Sequence, residues 1–132
     1  MKILIFEESD LLTEIIYKAI EFTDSSKVKK SKKFTEAKKE IDDSNFDIII
    51  LNSKISSSNN NDLINYIREK NKFTYIIVIS SETNLDYIKK LYEMGIDYLV
   101  PIPFDPSILK LLIDRVYERI NQFHCVYRGE NE

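Results

Sequence analysis

Two adjacent carboxylates, Glu7 and Glu8, follow the apolar run Ile3–Phe6, and such a pair offers hard oxygen ligands to a cation such as magnesium. Ser53 and Ser80 stand at the ends of two further apolar runs. Their hydroxyls become nucleophiles only beside a base, and the sole histidine, His124, lies near the C-terminus. His124 and Cys125 together are too few for a metal centre, where four ligands are usual. Asn52 closes the second apolar run with an amide, which hydrogen-bonds but has no carboxylate oxygen to act as a nucleophile. The run Lys27-Val28-Lys29-Lys30-Ser31-Lys32-Lys33 has the charge to meet an acidic partner, and equally the composition of a solvated sheet edge.

These residues need elements to position them. Ile3–Phe6, Ile48–Leu51 and Tyr75–Ile79 are short, β-branched and without polar alternation, the pattern of strands buried on both faces of a parallel sheet. Helical spacing separates them. Leu12, Ile15, Ile16, Ala19 and Ile20 mark a first helix, with Ser9 or Asp10 as its cap. Ala37 and Ile41 mark a second, and Leu63, Ile64 and Ile67 a third. The span Leu85–Met94 is a fourth, and Leu109, Leu112, Val116 and Ile120 follow Asp105-Pro106 in a fifth. Two weaker strands, Lys27–Ser31 with its lysines and Asp97–Val100 running into Pro101, belong at sheet edges. The expected strand order is therefore 2-1-3-4-5 in a doubly wound α/β fold, with residues 1–123 as one domain, Ser56–Asn61 as a polar loop and 124–132 as a tail or linker.

Composition bounds the rest. A chain of 132 residues with 43 % hydrophobic and 31 % charged residues suits one domain with a real core. No apolar run reaches the roughly 18 residues of a membrane span. One cysteine and no signal-peptide pattern fit a cytoplasmic protein. A net charge of −3 gives no global pull toward nucleic acid.

In a sheet of this order, ligands bind beyond the carboxyl ends of the strands, where the winding reverses. The segments there carry a resemblance. KILIFEES (2–9), FDIIILN (46–52), YIIVISS (75–81) and GIDYLVPIPF (95–104) are similar, in order and spacing, to segments of the response regulator receiver domain, over residues 2–122. The resemblance implies a flavodoxin-like (βα)5 fold. It puts Glu7 and Glu8 at the family's acidic pair, Asn52 at its phosphoacceptor aspartate and Ser80 at its Ser/Thr switch. The family's lysine falls on Ile102 when Pro103-Phe104 sets the alignment, and on Pro101 when Tyr98-Leu99-Val100 does.

These departures carry chemical weight. Asn52 lacks the attacking oxygen, and neither Ile102 nor Pro101 supplies the cation that would stabilise a phosphoryl group in transfer. Glu7 and Glu8 are candidate magnesium ligands, weakened because residue 52 adds only a neutral carbonyl; no other cofactor is expected. The fourth helix is apolar over about half its circumference, wider than one buried stripe needs. Its surplus, assigned to Tyr87, Leu91 and Met94, forms with Tyr98 and the fifth helix an expected contact surface, which the resemblance supports because receiver domains commonly dimerise or bind partners there. The expectation is a non-enzymatic, phosphorylation-independent receiver acting in two-component signalling as an interaction or dimerisation module, alone or within a larger regulator. A second reading keeps phosphotransfer from a histidine kinase and takes Asn52 as an artefact or an engineered change. A third is a small-ligand sensor that reuses the acidic crevice.

Overall fold

The computed structural model describes the backbone of residues 1–20, 27–53 and 57–128, and their side chains apart from 57–61 and 123–128. Strands and helices alternate as β1 (Lys2–Phe6), α1 (Asp10–Ile20), β2 (Lys27–Ser31), α2 (Phe34–Asp43), β3 (Ile48–Asn52), α3 (Ser57–Lys70), β4 (Tyr75–Ser80), α4 (Leu85–Met94), β5 (Tyr98–Pro101) and α5 (Pro106–Arg128). The five strands form one parallel sheet in the order β2-β1-β3-β4-β5, as strand composition predicts.

The three unalternated runs are buried on both faces because helices cover both. Leu4, Phe6, Ile49, Leu51, Ile76 and Val78 pack with α2, α3 and α4. Ile3, Ile5, Ile48, Ile50, Ile77 and Ile79 face the other way, onto α1 and α5. At about 25 cal/mol per Å2 of apolar area, this two-sided burial is the main term holding the layers together.

Helix ends follow local chemistry. Ser9 caps α1, its Oγ accepting from the Leu12 N–H and its carbonyl from the Thr13 N–H. Asn84 caps α4 through Oδ1, which accepts from the Asp86 and Tyr87 amides. Asp105 caps α5, and its hydrogen bonds to the backbone and side chain of Ser107 hold its carboxyl below the usual carboxylate range. Gly95 ends α4 at φ +108°, where a Cβ would be strained and would also stand 3.0 Å from Arg68 Nε. Arg68 fills that space, donating to the Gly95 and Thr74 carbonyls and pairing with Asp97, so that α3 is tied to both edges of the turn before β5. On the open side of β5 the Tyr92 hydroxyl accepts the Leu99 N–H at 3.1 Å.

Three boundaries differ from expectation. Residues 57–61, expected in a polar loop, open α3; Ser56 lies outside the described residues. Serine and asparagine are weak helix formers, but the buried stripe Leu63, Ile64 and Ile67 carries the helix past them. The tail expected from residue 124 is helical as far as Arg128, so the expected domain edge falls inside α5. Strand β5 lies one residue later than expected and includes Pro101, whose missing N–H costs nothing at an edge. Among the described residues no helix is long and apolar enough to cross a membrane.

Candidate functional site

The carboxyl ends of β1, β3 and β4 bring Glu7, Asn52, Ser53 and Ser80 into one buried crevice. Parallel pairing places them: Phe6 stands beside Leu51, and Asn52 beside Ile79, so the residues following these apolar pairs emerge together at the sheet's end. Glu7 is 4 % exposed and Asn52 8 % exposed. Asn52 Nδ2 donates to Glu7 Oε1 at 2.7 Å, and the Ser9 amide donates to Glu7 Oε2 at 3.1 Å. The Ser53 hydroxyl donates to Ser80 Oγ at 2.6 Å, and the Glu82 amide donates to the same oxygen at 2.9 Å.

Glu8 does not join Glu7. It is exposed, because successive residues leaving a strand point to opposite sides and α1 starts directly afterwards. The expected carboxylate pair is thus one buried acid with both oxygens already accepting N–H bonds. Among the described residues no three His, Cys, Asp or Glu side chains gather as a metal-holding group. The arrangement does not fit a magnesium site: a cation would have to displace two N–H donors from one carboxylate and find its other charged ligands elsewhere.

Where the resemblance calls for a lysine, the Ile102 N–H donates to the Ser80 carbonyl at 2.8 Å. The Ile102 side chain is half-buried and packs on the α1–α5 side of the core, while Pro101 is exposed and pairs with Ser80 at the strand end. Neither brings charge to the crevice. Beside Glu7 a cavity of about 460 Å3 opens between α1 and the β2–α2 turn, lined among others by Lys30, Lys32 and Lys33. Lys30 is paired with Glu14 and lies over the Tyr17 ring, and Lys32 is paired with Asp10, so two of the five lysines in the run are balanced locally. The side chains of His124 and Cys125 lie outside the described residues.

The sequence pattern of the response regulator receiver domain matches residues 3–114. The chain belongs to this family. It is 24 % identical over 123 residues to the chemotaxis protein CheY of Pseudomonas aeruginosa, covering 92 % of this chain and 99 % of that one. Its fold is that of the receiver domain of a putative Luxo repressor protein from Vibrio parahaemolyticus, with a TM-score of 0.83, 18 % identity and 95 % of each chain covered. CheY4 of Vibrio cholerae superposes with a TM-score of 0.76 at 20 % identity, over 87 % of this chain and 97 % of that one. At this level the protein is a receiver domain of two-component signalling.

The expected contact surface of this receiver domain needs correcting. Leu91 is 1 % exposed and sits in the core with Ile64, Ile67 and Val78, while Tyr87 and Met94 are half-buried against the same cluster. These three form the stripe that α4 turns to the sheet, because they share one arc of the helix. The apolar residues of α4 left outside are Leu85, 70 % exposed, Tyr92, 46 % exposed, and the half-buried Ile88, with Ile108 and Leu111 exposed on α5. Tyr98 is half-buried against the α1–α5 core. Sequence reasoning also missed the part of Ser9, whose backbone amide carries no sequence signal for its bond to Glu7.

Proposed function

We propose that this receiver domain works without phosphorylation, as a protein interaction or dimerisation module in two-component signalling, contacting a partner or a second copy through α4, β5 and α5. The observation that carries the reading is residue 52. The end of β3 presents an amide hydrogen-bonded to Glu7, and an amide offers no nucleophile to a phosphoryl donor. Two further features support it. Ile102 supplies no charge for a transferring phosphoryl group, and the Ser80 hydroxyl already takes bonds from Ser53 and Glu82. The contact reading draws on the exposed apolar side chains Leu85, Tyr92, Ile108 and Leu111, of which tyrosine is a type enriched where proteins meet. With net charge −3 and two lysines of the 27–33 run paired to acids, nucleic-acid binding is not assigned to this domain.

The test is intact-mass measurement after incubation with acetyl phosphate and magnesium. An unchanged mass is expected, and beryllofluoride is expected to leave the amide resonances near Ser80 and Tyr98 in place. A gain of one phosphoryl group, mapped to any strand-end residue, overturns the reading.

A further inference from the structure

Glu7 is a carboxylate that water scarcely reaches, and burial of an acid without partners is costly. Its partners come from the chain. Ser9 donates from the backbone, and Asn52 donates from the neighbouring strand end at 2.7 Å. An ionised carboxylate only accepts hydrogen bonds, so the amide must present its nitrogen to Glu7, and the bond so formed is charge-assisted. A carboxylate at position 52 would instead set two acids at hydrogen-bond distance in a buried place. Such a pair repels unless a proton or a cation is held between them.

We propose that the Asn52 amide replaces, from within the chain, the divalent cation that facing carboxylates would need here, so that the ends of β1 and β3 are held together without metal. The Glu7–Asn52 bond joins these two strand ends across the crevice, and it bridges residues 45 apart in sequence. It requires opposite functions at the two positions, one amide and one carboxylate, but it does not require which strand carries which. That symmetry makes the inference testable apart from any signalling activity.

The experiment is thermal unfolding of the parent chain, Asn52→Asp and the reversed pair Glu7→Gln/Asn52→Asp. Each is measured in EDTA and in millimolar magnesium chloride, with sodium chloride matching the ionic strength. The parent midpoint should be the same in both. Asn52→Asp should unfold at least about 5 °C lower in EDTA, since a domain of this size shifts by a few degrees per kcal/mol, and magnesium should restore part of the loss. The reversed pair should recover most of the loss in EDTA. If Asn52→Asp does not fold without metal, the reversed pair decides: folding near the parent midpoint supports the inference, and failure overturns it. A parent chain stabilised by magnesium as much as Asn52→Asp also overturns it, as does an Asn52→Asp chain as stable in EDTA as the parent. The inference shares with the proposed function only the identity of residue 52. Magnesium binding without phosphorylation would sink this inference and leave the function standing, whereas phosphorylation of the parent would sink the function.

Discussion

In the proposed reading, an amide at position 52 in place of a carboxylate removes a nucleophile and adds a hydrogen-bond donor, and that donor is engaged with Glu7. Restoring the nucleophile alone is therefore expected to restore little chemistry. Asn52→Asp leaves Glu8 turned to solvent and Ile102 apolar, so the incoming phosphoryl group meets no fixed cation. One such electrostatic contact is worth about 10²–10³ in rate. Asn52→Asp/Ile102→Lys should accept phosphate from acetyl phosphate faster than Asn52→Asp by a factor of that order, at matched magnesium. Equal rates for the two variants would show that position 102 does not serve the site. The strand-end residues were legible from sequence because unalternated runs fix where strands stop. The separate fates of Glu7 and Glu8 were not, because one residue of drift past a strand end turns a side chain from the crevice to water.

Helix α4 shows how an element can be legible in extent and not in orientation. Its bounds, Leu85 to Met94, follow from the Asn84 cap and Gly95. Its apolar residues fall into two arcs, Tyr87, Leu91 and Met94 on one and Leu85, Ile88 and Tyr92 on the other, with neighbouring edges about 60° apart at 100° per residue. Either arc satisfies the sheet by periodicity alone, and the choice belongs to the packing of β3 and β4, whose Leu51 and Val78 form the cluster that receives Leu91. The two arcs should separate in experiment. Leu91→Ala should cost roughly 2–5 kcal/mol in denaturant unfolding, as buried leucine truncations do, and leave sedimentation of the folded chain unchanged. Leu85→Glu and Ile108→Glu should keep the parent stability and weaken concentration-dependent dimerisation. A dimer indifferent to both charges would place the contact outside α4 and α5.

For the whole molecule, the strand order was readable because the edge strands are marked chemically, one by lysines and the other by proline, and the middle three by unbroken apolar runs. The same marking has a consequence for how large an assembly can grow. A parallel sheet with bare edges invites another chain to add a strand, and because that contact does not close on itself it can repeat into a fibre. On β2, Lys27 and Lys29 are exposed and repel a second copy of themselves. On β5, Leu99 gives its N–H to Tyr92 and position 101 has none to give, so two adjacent donors of that strand are withheld from any incoming chain. Tyr92→Phe leaves the ring and removes the acceptor. That variant should keep the fold and, on gentle heating, scatter light and bind a cross-β dye sooner than the parent; identical aggregation kinetics would mean that the tyrosine hydroxyl does not guard this edge. With both margins shut, the contact proposed for the helices would be the one left open, and a two-fold contact there would consume its own surface, so that growth stops at a pair.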